Sequence, residues 1–118
     1  MVLDSEQRPW GSWYVLDEGD GYKVKRIQVN PGQRLSYQTH AQRAEHWYVI
    51  RGTATCTVEG EEIVAGVGDS VEVALGAAHR ISNLHDEELT IIEVQRGDYL
   101  GEDDIVRLED DYGRGEES

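Results

Sequence analysis

The stretch "QTHAQRAEHW" at 38–47 sets Gln38, His40, Arg43, Glu45, His46 and Trp47 within ten positions. Imidazole nitrogens, a carboxylate and an amide oxygen are the donors that hold borderline divalent metals, and an aromatic neighbour supplies a dry wall beside them. Whether they converge depends on the backbone. Side chains two apart along a strand share a face, so Gln38 and His40 point the same way with Thr39 opposed. A turn at "AQRA" and a new strand from near Glu45 put Glu45, Trp47 and Val49 on one face, with His46, Tyr48 and Ile50 on the other. Trp47 and Val49 are natural core residues, so Glu45 is carried inward and His46 outward. A fourth ligand is expected from His79, which follows the glycine-bounded segment "GDSVEVALGAA". The set Gln38, His40, Glu45 and His79 suits one divalent ion (Zn, Mn, Co, Ni or Fe) with a coordination position left for water or substrate.

These residues need strands to position them, and the sequence supplies strands. Short apolar–polar alternations cover 12–16, 22–29, 34–40, 46–50, 53–58, 61–64, 70–74, 79–82 and 89–95, separated by punctuation such as "NPG", "RGT" and "GVGD". Strands at 8–12-residue intervals predict an all-β sandwich or barrel. Helical periodicity is absent except for a turn expected around 101–108. A chain of 118 residues makes one domain, able to bury roughly 65% of its unfolded surface. Cys56 is the only cysteine, so the fold must stand without an internal disulfide.

Charge narrows the partners. There are 24 acidic residues against 11 basic ones, a net of −13, which excludes the basic footprint of a nucleic-acid binder. Such an excess suits a well-solvated acidic surface, or a high-salt setting in which a ~3 Å Debye length at 1 M screens self-repulsion. No apolar run approaches ~20 residues and the first ten residues lack an apolar signal region, so the expectation is a cytoplasmic protein with no membrane partner.

The spacings resemble the cupin superfamily. Gly32, five residues, Gln38-Thr39-His40, four residues, Glu45, six residues and Gly52 reproduce its first motif, with Gln38 where a histidine usually stands. Gly68, five residues, Ala74-Leu75-Gly76, two residues, His79, three residues and Asn83 reproduce the second, with Ala74 replacing a proline. A narrower resemblance covers "RPWGSW" (8–13), residues 23–54, "AAHRISN" (77–83) and residues 92–114, all of which look like type II mannose-6-phosphate isomerases. It implies a double-stranded β-helix (jelly-roll) cupin barrel over residues 1–114, with 115–118 a disordered tail. In that family the cupin usually follows a mannose-1-phosphate guanylyltransferase domain. No glycine-rich nucleotide loop occurs here, so guanylyl transfer is not expected of these residues.

The implied reaction interconverts mannose 6-phosphate and fructose 6-phosphate by moving a proton between C2 and C1 through an enediol. It needs a metal as Lewis acid, a base near that edge, and cations for the phosphate. Lys23 and Lys25 share a face with Ile27 and Val29; if that face is interior, Lys25 enters the cavity and Lys23 stands near its mouth. The alternative turns Tyr22, Val24 and Arg26 inward. Arg43, in the metal-ligand turn, is expected at the rim, with Arg34 a further substrate-binding cation. Glu93 alternates with Ile91 and Gln95 against Thr90, Ile92 and Val94, and either face could be interior; it is the candidate base, with Lys25 beside it, and the resemblance keeps His46 in view. Two other functions fit: a non-catalytic sugar- or nucleotide-sugar-binding cupin partnering a separate guanylyltransferase, and a metal-dependent cupin oxygenase. Tyr48 and Ile50 on an outer strand face predict a homodimer.

Overall fold

In the computed structural model residues 2–112 are described, and they form eleven strands and, among them, no helix. The strands are β1 (Asp4–Arg8), β2 (Gly11–Gly19), β3 (Tyr22–Val29), β4 (Tyr37–Thr39), β5 (Arg43–Arg51), β6 (Ala54–Val58), β7 (Glu61–Ala65), β8 (Ser70–Val73), β9 (His79–Ser82), β10 (Leu89–Gly97) and β11 (Val106–Glu109). They make two antiparallel sheets, one ordered β1-β2-β3-β10-β5-β8 and the other β11-β4-β9-β6-β7. The all-β expectation holds. No helix of the described residues is long and apolar enough to cross a membrane.

Three differences from the sequence expectation have simple causes. β1 reads "DSEQR", without apolar alternation; it is an exposed edge strand whose order comes from pairing with β2. The expected strand 34–40 is shorter, with Arg34 making one isolated bridge to Ser82 before β4 begins. The turn expected around 101–108 occupies only its first half, and the chain then extends as β11 against β4. The expected tail, 115–118, lies outside the described residues.

Three neighbouring strands carry the site. In β3 the inward residues run Val29, Ile27, Lys25, Lys23; in β10 they run Leu89, Ile91, Glu93, Gln95; in β5 they run Val49, Trp47, Glu45, Arg43. Antiparallel register aligns them into layers: Ile27–Ile91–Val49, then Lys25–Glu93–Trp47, then Lys23–Gln95–Glu45. One end of the interior is therefore apolar, joined by Cys56 and Ile81 from the second sheet, and the other end is charged. Burial pushes the Cys56 thiol up to about 12, which leaves it a core residue rather than a nucleophile.

Gly97 closes β10 against the turn that precedes β5. A Cβ there would lie 2.0 Å from the Gln42 carbonyl oxygen, on backbone that carries the metal-ligand segment. Gly66 by contrast has only Asp69 Oδ2 at 3.9 Å and no unusual backbone angle. Gly97→Ala is expected to lose about 1–3 kcal/mol in urea unfolding, as overpacking does, with Gly66→Ala close to wild type as the control.

Candidate metal centre and cavity

Both sheets contribute to one buried cluster. Gln38 in β4 stands directly opposite His79 in β9, and His40 follows Gln38 on the same face. Across the interior, β5 brings Glu45. His40, Glu45 and His79 are all buried, with ligand atoms within 4.8 Å of one another. His40 Nε2 is 3.3 Å from Glu45 Oε2, and His79 Nε2 is 3.8 Å from Glu45 Oε1. Donors around a tetrahedral ion at ~2.1 Å stand about 3.4 Å apart, so the spacing fits a metal with little adjustment.

The ring orientations fit as well. His40 Nδ1 donates to the Asp104 carbonyl at 2.6 Å, and His79 Nδ1 donates to the Ala77 carbonyl at 2.9 Å. Each tautomer is thereby fixed with Nε2 as the free lone pair, the arrangement that metal-binding histidines require. His40 Nε2 meets Arg43 Nη2 at 3.1 Å, which marks the lone pair an ion would take. Burial, then the Arg43 charge, lowers His40 to about 4; burial likewise lowers His79 against the pull of the Ala77 carbonyl. Both rings are neutral near pH 7, as ligands must be. Gln38 Nε2 is tied to Ser36 at 2.8 Å and 3.2 Å, leaving its Oε1 as the atom that could serve an ion.

Two carboxyls lie side by side with opposite tuning. Burial works against the Glu45 charge, yet a hydrogen bond from Glu93, the Arg43 charge and the Trp47 indole hold it below the usual carboxylate range. Trp47 Nε1 donates to it at 2.8 Å and Arg43 Nε at 2.9 Å. Glu93 is pushed up to about 7, first by burial and then by the Glu45 charge. Gln95 Nε2 orients it at 2.9 Å. Two carboxyls with opposite proton affinities thus sit in contact, Glu45 a candidate ligand and Glu93 a candidate acid–base group.

The free volume of the cavity around them is about 80 Å³, below the roughly 300–1,000 Å³ typical of small-molecule sites. Five cationic side chains line it: Arg8, Lys25, Arg43, Arg80 and Arg107. Three carboxylates oppose them: Glu45, Glu93 and Glu102. In a chain of net −13 this is a local reversal of sign. Lys25 is 3% exposed, its Nζ 4.0 Å above the Trp13 ring and 2.7 Å from Glu102.

The interior alternative for Tyr22, Val24 and Arg26 is thus set aside, and Glu93 faces inward with Ile91 and Gln95. Lys23 does not line the cavity: its Nζ sits on the Leu100 carbonyl at 2.9 Å and 3.6 Å from Glu102, which does line it. Other positions need correction. Arg43 is not a rim residue: β5 begins two residues earlier than expected, so Arg43 falls on the inward face and is buried against Glu45. Arg34 pairs with Asp111 at 2.7 Å on the surface, away from the cavity. His46 takes the outer face, its side chain 40% exposed and 3.1 Å from Glu72, so it touches nothing in the site. The sequence reading missed the acidic connection after β10. Asp104 holds His40 through its carbonyl, and its carboxylate accepts from the Ala41 and Gln42 amides at 2.9 Å each. Adjacent acidic residues gave no hint of this, because a solvated run looks the same.

Residues 3–110 match the family model described as mannose-6-phosphate isomerase, C-terminal. The mannose-1-phosphate guanylyltransferase ManC of Salmonella typhimurium is 50% identical over 107 residues, 91% of this chain and 22% of that protein. The alginate biosynthesis protein AlgA of Pseudomonas aeruginosa is also 50% identical over 107 residues, with the same coverage. The chain spans about a fifth of the length of these curated relatives. Among solved structures, oxalate decarboxylase of Lactobacillus farciminis superposes with a TM-score of 0.78 at 20% identity, covering 90% of this chain and 33% of that one. An uncharacterised Klebsiella pneumoniae protein with a double-stranded β-helix domain gives 0.71 at 23% identity, covering 81% and 82%. The chain belongs to the mannose-6-phosphate isomerase C-terminal family, and its fold is the cupin double-stranded β-helix.

Asp104 provides a test of the metal centre that involves no turnover. Removing its carboxylate in Asp104→Ala frees the 41–42 turn and loosens His40, so Zn²⁺ affinity measured by competition with a chromophoric chelator should fall about 10–100-fold. Wild-type affinity in that variant would remove Asp104 from the site.

Proposed function

We propose that the chain is a metal-dependent sugar-phosphate isomerase of the cytoplasm, interconverting mannose 6-phosphate and fructose 6-phosphate. One observation carries the reading: a metal-ligand triad, a buried carboxyl near neutrality and several buried cations share one cavity in a strongly acidic protein. The names of the family and of its relatives support the substrate class.

The residues divide the work as follows. His40, Glu45 and His79, with Gln38 beside them, hold a divalent ion, which when bound polarises a carbonyl oxygen of the sugar as a Lewis acid. Glu93 takes the proton from one carbon of the C1–C2 edge and returns it to the other. Its raised affinity for protons suits it to both halves of that transfer near pH 7, where it is neither firmly ionised nor firmly neutral. Gln95 and Trp47 keep its carboxyl in place. Lys25 supplies the charge for the phosphate, and Trp13 beneath it keeps the ammonium in position. Arg43 draws Glu45 into line and offers its guanidinium toward the reacting oxygens.

The binding-only alternative, a sugar- or nucleotide-sugar-holding partner of a guanylyltransferase, keeps support from the names of the relatives. An oxygenase acting on an apolar substrate would favour a cavity with Lys25 and Arg43 outside it, and here both line the cavity. Chain loaded with Zn²⁺, Mn²⁺ or Co²⁺ is expected to convert mannose 6-phosphate in a coupled assay, with activity lost on chelation and in His79→Ala. Glu93→Gln should lower kcat by about 10²-fold or more with KM little changed, whereas Lys25→Met should raise KM. Metal bound at one per chain without turnover would leave the binding-only reading.

The same proposal includes a homodimer. Tyr48 and Ile50 are 44% and 46% exposed on the outer face of β5, and Ile92 of β10 is paired beside Tyr48 to extend the apolar area. Sedimentation equilibrium at tens of micromolar should give twice the chain mass, and Tyr48→Glu should give the monomer. A wild-type monomer would end the idea.

A further inference from the structure

Lys25 is a buried ammonium on a strand, fixed between the Trp13 ring and the wall of the cavity. Such a charge needs an anion close by, because desolvation costs several kcal/mol when it is left alone. Its direct partner is Glu102 at 2.7 Å, and the same Glu102 oxygen lies 3.6 Å from Lys23. The two partners are held very differently. Lys25 belongs to β3 in the middle of a sheet. Glu102 belongs to the irregular connection between Gly97 and Val106, and its side chain is 37% exposed against 4% for Lys25. Farther along that connection, Asp104 is anchored on the Ala41 and Gln42 amides. Nearer β10, Tyr99 bonds to the Asp103 carboxylate and its ring lies over Gly101. The carboxylate therefore stands on a short arched segment, tied through the Leu100 carbonyl to Lys23 on one side and through Asp104 on the other, with its side chain partly in water. It can leave; the lysine cannot.

We propose that Glu102 is a built-in placeholder for the anionic group of the ligand. Its carboxylate occupies the Lys23–Lys25 subsite until a phosphate displaces it, and the Glu102 side chain swings outward while Leu100 stays on Lys23 and Asp104 stays on the 41–42 turn. The proposal rests on the reading of a phosphorylated ligand and adds to it a competition between the protein's own carboxylate and the substrate. Occupancy by Glu102 keeps Lys25 paired when the cavity is empty of ligand, and it sets a threshold against weakly charged anions. A dianionic phosphate offers more charge and more acceptor oxygens than one carboxylate, so it displaces Glu102 where a monoanion does not.

The test uses inorganic phosphate titrated calorimetrically into the purified full chain at low ionic strength, for wild type, Glu102→Gln, Lys25→Met and the double variant, each checked for wild-type circular dichroism. Removing the competing charge while keeping the side-chain shape should tighten phosphate about tenfold in Glu102→Gln. The gain should vanish when Lys25→Met is added. Equal affinity in wild type and Glu102→Gln, with both weakened by Lys25→Met, would overturn the placeholder and leave the phosphate reading standing. Phosphate binding that is indifferent to Lys25→Met would put the anion elsewhere and overturn the placeholder as well. Absence of binding in all four proteins would overturn the phosphate reading and the placeholder with it.

Discussion

The alternation of side chains along three adjacent strands is the constraint on which the site depends. β3, β10 and β5 each turn every second residue inward, and antiparallel pairing sets those residues in rows. The first rows are valine, leucine and isoleucine; two residues later the same faces carry Lys25 and Glu93 beside Trp47, and then Gln95 beside Glu45. A slip of one residue in any of these strands would send its charges to solvent and its outer residues into the core. Apolar rows hold the register, and the register delivers the charged rows. Stability and chemistry are thus written on opposite ends of the same strands.

Charges concentrated this way must answer one another. Glu45 collects Arg43 and the Trp47 indole, Glu93 takes Gln95 and shares its proton with Glu45, and Lys25 takes Glu102. Each buried group has lost its hydration, so a single deletion leaves an orphan that costs more than the pair contributed. The arrangement also explains how an acidic protein could hold a phosphorylated ligand. Surface carboxylates beyond a Debye length of ~10 Å are screened at 0.1 M salt, while cations inside a walled cavity act through a lower dielectric. The cavity, not the net charge, decides which ligand is welcome.

The sequence made the strand pattern and the convergence of Gln38, His40, Glu45 and His79 legible, because both follow from local periodicity and from motif spacing. It also narrowed the choice for Lys25 and Glu93 to two faces without deciding between them. That decision is tertiary: Ile27, Ile91 and Val49 form one row, and only pairing shows that this row is the interior. Arg43 was misplaced by a two-residue error in where β5 begins, enough to move a side chain from rim to wall. Arg34 drew notice by its charge alone and finds Asp111 at a separation of 77 residues, which no local pattern announces. Glu102 and Asp104 were hidden for the same reason, acidic residues among acidic residues whose partners lie 77 and 64 positions away.

That acidic connection joins two parts of the site that the strands alone leave independent. Asp104 fixes the ring of His40, a candidate metal ligand, from behind, and Glu102, two residues earlier, touches the lysine proposed to receive phosphate. An aldose–ketose isomerisation needs both ends of the sugar phosphate held at once, the carbonyl end at the metal and the phosphate end at the cation, so that a carboxyl between them meets the C1–C2 edge. Glu93 stands in the same row as Lys25 and in contact with Glu45, which suits it to the proposed role between them. Displacement of Glu102 would tug on a chain anchored at Asp104, and the anchor is the turn that carries His40 into β5. The sheets fix the distances between the inward rows, and the proposed displacement of Glu102 would fall on the irregular connection between β10 and β11.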